Sequence, residues 1–383
     1  MAAATGLIAP ILPLFAHRLG ANLALTGVVV GMNGVGVMIF DLPAGFFVSR
    51  FNKKLTITIS VAAAVVIAVI TGINRSLFVL ALLSLGMGAV QSIWMIVRLA
   101  YIREVVPVDK RGRTLSLMGG LNRIGTFVGP IAGGFLGKLF GLHMPFFVQA
   151  LVAAIALVIV ISFVGPASSD TSGKKNTRFV SKIGGILNKH RRSFVTTGFA
   201  MVALCLIRSG RSILIPLWGN SIGLDVAAIG LIIGLSSAVD MTLFYPVGVI
   251  MDRKGRKWTA IPCLVILSLS LALIPLTSGF SGLLLVGLLA GIGNGLGSGI
   301  NMTLGSDLAP RDGIGEFLGV WRLVGDVGTA SGPLLIGVIA QVLTLAFAPF
   351  AAAGFGFVGA GIMFFFAAET LPASRDPEPP ASR

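Results

Sequence analysis

Apolar stretches of about 17 to 25 residues follow one another along nearly the whole chain, separated by short polar turns. Each is long enough to cross a hydrocarbon core as a helix. Twelve are read, at 1–16, 24–48, 55–73, 77–103, 113–137, 144–165, 194–218, 226–250, 257–276, 281–306, 314–342 and 346–367. No period-two alternation marks a strand, so the pattern predicts an all-α integral membrane protein. The polar positions repeat at one offset. The segment from Gly248 follows the segment from Gly45 by 203 residues, and the same offset pairs Pro13 with Pro216, Gly27 with Gly230, Gly88 with Gly291 and Gly129-Pro130 with Gly332-Pro333. A register held from helix to helix predicts two equivalent six-helix bundles, 1–165 and 194–367, with any cargo bound between them.

Residues 166–193 read as a basic connector whose second part, 179–192, could form an amphipathic surface helix, and 368–383 read as a Pro-rich disordered tail. The repeat maps the seventh span onto a segment beginning before residue 1. The first span is therefore expected to lack about two turns, through a late start assignment or an intrinsically short helix.

Composition sharpens the class. Hydrophobic residues make up 55% of the chain and charged residues 11%, with a mean hydropathy of +0.96. A soluble globule carries about 25% charged residues. The net charge of +15 is topological: 21 Lys or Arg fall in loops on one side, and only Arg18, Arg75 and Lys138 on the other. That asymmetry predicts a multi-pass plasma (inner) membrane protein with both termini in the cytoplasm. It gives a nucleic-acid role no weight, the bilayer being the basic surface's partner. Cys205 and Cys263 have no metal-ligand spacing and read as small core residues. No cofactor or metal is implied, and no nucleophile, base or metal constellation points to an enzyme.

Gly248-x-x-x-Asp252-Arg253-x-Gly255-Arg256-Lys257 resembles the loop signature of the major facilitator superfamily, here between the eighth and ninth spans. The first glycine would let helices pack closely, and Asp252 could meet the positive N-terminus of a facing helix. The resemblance implies a cytoplasmic latch in which Arg253 pairs with Asp307. The first-half copy keeps Gly45 and Arg50, with Ser49 and Asn52 departing from the pattern, and its Arg50 could meet Glu104. Gly125-x-x-x-Gly129-Pro130-x-x-Gly133-Gly134 in the fifth span resembles the signature of proton-coupled drug antiporters in that superfamily. Small residues there permit close packing and the proline permits a bend. That family's arginine signature in the fourth span has no counterpart in 83–89. The resemblance implies a monomeric transporter of alternating access, with spans 1, 4, 7 and 10 around a cavity and spans 2, 5, 8 and 11 along the interface.

Ionisable groups inside a bilayer cost roughly 2.5–3.5 kcal/mol each, so each is a functional candidate. Asp41 and Arg98 lie near the basic loops and read as structural. Arg208 and Arg211 share a face of the seventh span and are expected to contact substrate, with internal pairing to Asp240 as the alternative. Arg322 and Asp326 stand i, i+4 on the eleventh span and can pair within it. Asp326 repeats onto Arg123. Asp240 and Asp326, with Arg322 and Arg123, are the expected proton-coupling groups. Gln91 and Trp94 on the fourth span, and Asn294 and Asn301 on the tenth, are candidate pocket residues. The Gly291–Gly299 run follows no strand and carries no phosphate signature, so it reads as helix packing. The whole points to proton-coupled efflux of small organic molecules, with import of an anionic metabolite as the alternative.

Overall fold

The computed structural model describes residues 2–50, 52–165, 179–310 and 313–371, without the side chains of 42, 44–50 and 179–182. All regular structure among them is helical. The first bundle comprises α1 (Ala2–Ile8), α2 (Ile11–Arg18), α3 (Leu23–Arg50), α4 (Lys53–Ile73), α5 (Leu77–Val105), α6 (Val108–Phe140) and α7 (Met144–Phe163). A connector helix, α8 (Phe179–Lys189), leads to α9 (Arg191–Ser193), which runs through a π turn at Phe194–Gly198 into α10 (Phe199–Ser221). The second bundle continues with α11 (Val226–Lys254), α12 (Lys257–Leu273), α13 (Phe280–Leu296), α14 (Ile300–Leu308), α15 (Ile314–Val342) and α16 (Ala348–Phe365).

Two spans are split. Pro10 lacks a backbone N–H and divides the first span into α1 and α2, whereas its repeat partner Ile213 sits inside the unbroken α10. The tenth span breaks between α13 and α14, where Gly299 takes φ +79°, a conformation that glycine adopts without strain. Ten spans are long and apolar enough to cross a bilayer among the described residues. The other two of the expected twelve are α1–α2, each piece too short alone, and α6, whose apolar stretch after the charged start is diluted by glycine and by Asn122, Arg123 and Lys138.

The predicted pseudo-symmetry is present in the packing. α3 lies along α15, and α6 along α11, so each bundle offers one helix to each side of the interface. Lipid gives little hydrophobic drive for helices to associate, and close backbone approach does that work instead. A Cβ on Gly27 would lie 2.5 Å from the Pro333 carbonyl oxygen, and one on Gly230 would collide with that of Pro130. These are the same contact repeated at an offset of 203.

The approach is uneven along the interface. At the end remote from the basic loops, Lys138 pairs with Asp225 at 2.7 Å, and the Leu23 N–H donates to Gln341 Oε1 at 3.1 Å. Lys138, together with the Ala228 backbone N–H, holds the Asp225 carboxyl below its usual range. Buried Leu14, Phe15, Leu142 and Ile229 pack in one cluster that closes that end. Toward the basic loops the bundles part: a Cβ on Gly119, Gly120 or Gly248 would meet nothing within 4 Å. The expected close-packing role of Gly248 is therefore not realised in this conformation.

The connector helix α8 lays Ile183, Ile186 and Leu187 against the second bundle's core, while 166–178 lie outside the described residues. The tail begins with structure. Glu369 accepts from the Arg256 N–H at 2.8 Å and the Lys257 N–H at 3.0 Å, so 369–371 depart from the disorder expected from residue 368 onward; 372–383 lie outside the described residues.

Candidate functional site

A cavity of about 310 Å³ lies between the bundles, flanked by two lobes of about 260 and 220 Å³ that share lining residues with it. This is the size of a small-molecule site. Thr5 lines all three lobes. Gln91 and Gln149 border the main lobe and the lobe nearer the basic loops, which also holds Trp94 and Arg98. Arg208 and Arg211 border the third lobe with Thr126 and Ser236. Apolar walls come from Ile8, Leu12, Ile67, Leu83 and Phe146.

The arginines are held differently. Arg208 lies in the notch where the tenth span breaks: a Cβ on Gly297 would collide with its Nη2. That nitrogen donates to the Asn294 carbonyl at 3.1 Å, at the partially negative C-terminus of α13. Arg208 Nε is buried with no hydrogen-bond partner. Arg211 donates to Ser236 Oγ at 3.3 Å. Neither pairs directly with Asp240, contrary to the alternative expectation, although Asp240 attracts Arg211 through space. Asp240 instead pairs with Arg123 across the α6–α11 interface at 3.5 Å, and accepts from Asn294 Nδ2 at 3.0 Å and Ser298 Oγ at 3.3 Å. The Arg123 guanidinium also stands 4.2 Å over the Phe244 ring. Asn294 thus positions Arg208 and Asp240 from behind the cavity. Asn301 accepts from Trp321 Nε1 at 2.8 Å, inside the second bundle.

The eleventh span departs from its expected internal pair. Arg322 reaches across the other interface to Asp41 of α3, with Nε 2.5 Å and Nη2 3.2 Å from the carboxylate oxygens. Ser92 Oγ donates a hydrogen bond to Asp41 Oδ1. Asp326, one turn along α15, lies within side-chain hydrogen-bonding reach of Asp41, and its Oδ2 is buried without a partner. Asp41, read as structural from its depth, is the centre of this group. Its position follows from the repeat: Arg123 touches Phe244, and Phe244 is Asp41 advanced by 203.

At the basic end each bundle closes on itself. Asp307 pairs with Arg256 at 2.7 Å rather than with Arg253, and Asp252 turns to Arg256 at 3.7 Å instead of to a facing helix. In the first bundle Glu104 pairs with Lys53. Lys53 and Arg256, like Glu104 and Asp307, are 203 residues apart, a signal the sequence carried. The side chain of Arg50 and position 45 lie outside the described side chains. Gly255 takes φ +114°, and a Cβ there would stand 2.5 Å from Glu369 Oε2, so both backbone and space require glycine. In α6 the motif glycines divide their contacts: Gly125, Gly129 and Gly133 face α1, and Gly134 with the Pro130 carbonyl faces α11.

A family model described as Major Facilitator Superfamily matches residues 1–210 and 197–383. An uncharacterised MFS-type transporter of Methanocaldococcus jannaschii is 21% identical over 89% of this chain and 88% of its own. Multidrug resistance protein 2 of Bacillus subtilis is 24% identical over 73% of this chain and 71% of its own. The crystal structure of the nucleoside transporter NupG superposes with a TM-score of 0.75 at 15% identity, covering 96% of this chain and 97% of that one. The chain belongs to the Major Facilitator Superfamily: it is a multi-pass membrane transporter with twelve spans in two bundles, and not an enzyme.

Proposed function

We propose that this chain is a proton-coupled secondary transporter that exports small organic molecules from the cytoplasm, acting as a monomer in the plasma membrane with both termini inside. The observation that carries the coupling is the group Asp41–Arg322–Asp326, which bridges the bundles at the α3–α15 interface. Two carboxylates face one guanidinium there. One bound proton leaves the group neutral, and an uncompensated charge in a low-dielectric interior costs several kcal/mol. Parting of the bundles at this interface takes the cation from Asp41. Proton occupancy and inter-bundle pairing are thereby linked, as alternating access requires. Arg123–Asp240 forms the matching bridge at the other interface with the signs exchanged between bundles. The basic loops put the open end of the cavity in the cytoplasm. The fifth-span motif and the multidrug resistance relative support export.

The test is transport by purified protein in liposomes under an imposed proton gradient, with amphipathic dyes of each charge as cargo. Gradient-driven movement of at least one dye against its own gradient is expected, and its loss in Asp326→Asn and Asp41→Asn. Movement that ignores the proton gradient and persists in both variants overturns the coupling.

A further inference from the structure

The polar groups around the cavity are unequal in kind. Among the described residues, three buried N–H donors that belong to cavity-lining side chains have no hydrogen-bond partner: Trp94 Nε1, Arg98 Nε and Arg208 Nε. Arg98, Arg208 and Arg211 all border the cavity, and no ion pair to a carboxylate is formed by any of them among the described residues. The intramembrane carboxylates stand elsewhere: Asp240 pairs with Arg123 and Asp41 with Arg322, and Asp326 lies beside Asp41 at the α3–α15 interface. The α13 carbonyl end offsets part of the Arg208 charge, since a helix terminus counts for roughly half an elementary charge. Leaving buried donors and membrane-embedded cations without partners is costly, and a ligand that brings acceptor oxygens and negative charge removes that cost.

We infer that the cavity binds an amphipathic organic anion, a carboxylate, sulfonate or phosphate head on an apolar body, held between both bundles by Arg98 and Trp94 of α5 and by Arg208 and Arg211 of α10. The arginines border the lobes on either side of Thr5, and the apolar body lies against Ile8, Leu12 and Phe146 in the main lobe. Arg98 stands toward the basic end, so an anion entering there meets it before it reaches Arg208. Because the two sets of donors belong to different bundles, the ligand reports on how the bundles sit against each other. The inference deepens the proposed function in naming its substrate class, and rests on it only in taking this cavity as the substrate site.

Fluorescein and rhodamine 123 share a xanthene body and carry opposite charge, so the pair isolates the sign. Fluorescence polarisation on the full chain in neutral detergent is expected to show saturable fluorescein binding that rhodamine 123 does not displace. Arg98→Gln and Arg208→Gln are each expected to weaken it about tenfold or more, the scale of a lost hydrogen bond to a charged group. Arg208→Lys, which retains the charge, should keep the preference for fluorescein even if a Gln variant folds poorly. Absence of fluorescein binding, tighter binding of rhodamine 123, or wild-type affinity in folded Gln variants overturns the inference. Fluorescein binding without gradient-driven transport sinks the proton-coupled reading and leaves this one. Gradient-driven transport of rhodamine 123 alone does the reverse.

Discussion

Glu369 joins the tail, the loop after α11 and the start of α12 through one carboxylate. Partial burial pushes its pKa up, but hydrogen bonds from the backbone N–H groups of Arg256, Lys257, Leu371 and Thr370 outweigh that and hold it below the ordinary value of 4.5. A carboxylate with a depressed folded-state pKa contributes stability that is present above its unfolded value and is lost as pH falls through the folded one. Glu369→Gln is therefore expected to lower the unfolding midpoint at neutral pH, by the equivalent of about 1 kcal/mol for a lost helix cap. The gap from wild type should close as a series of thermal melts is taken below pH 4.5. A gap that stays constant across the series would mean the carboxylate's charge plays no part. Thr370 Oγ1 adds a hydrogen bond to Asp307 at 2.9 Å, so the same short segment also steadies the Arg256–Asp307 pair.

At the scale of helices, glycine contacts decide where the two bundles touch. Gly230→Val should cost about 1–3 kcal/mol, because the added atoms meet the Pro130 carbonyl and the α6 backbone, which cannot rotate away. Gly27→Val should cost a similar amount against Pro333, whereas Gly248→Ala should leave the detergent melting temperature almost unchanged. Equal melting of Gly230→Val and Gly248→Ala would show that the bundles do not meet closely at α6–α11. This part of the architecture was readable in the sequence, because glycine and proline positions recur at a strict offset and backbone approach depends on position alone. Side-chain partners were not. Arg322 can reach Asp326 along its own helix or Asp41 across the interface, and only the rotation of α15 against α3 chooses. The depth of Asp41 measured along α3 said nothing of what faces it. Arg256 and Arg253 differ by one turn's direction, which the loop geometry at Gly255 sets. The glycine run of the tenth span announced flexibility without saying that the helix stops at Gly297 to admit a guanidinium.

At the scale of the whole molecule, the described residues close the bundles on each other at the end away from the basic loops, where Lys138–Asp225 and Leu23–Gln341 bridge them. The ion pair is about half exposed and its energetic worth is small. Its value is positional: a reducible bis-thiol cross-linker joining Lys138→Cys to Asp225→Cys should hold the cavity open to the basic side. Transport by the cross-linked double variant is expected to stop and to return on reduction. Undiminished transport in the cross-linked protein would mean that this end need not part.

The capping of the ninth span has a consequence for biosynthesis. In the first bundle Asn52 caps α4 with its own side chain, accepting from the Lys54 N–H at 2.9 Å, as soon as that stretch of chain exists. Gly255 stands at the equivalent place before α12 and has no side chain to offer, so the cap arrives from Glu369, more than a hundred residues later. The first bundle can therefore finish its loop while synthesis continues. The second waits until its last helix has been made and inserted, and any product released earlier leaves the ribosome with that helix start unfinished.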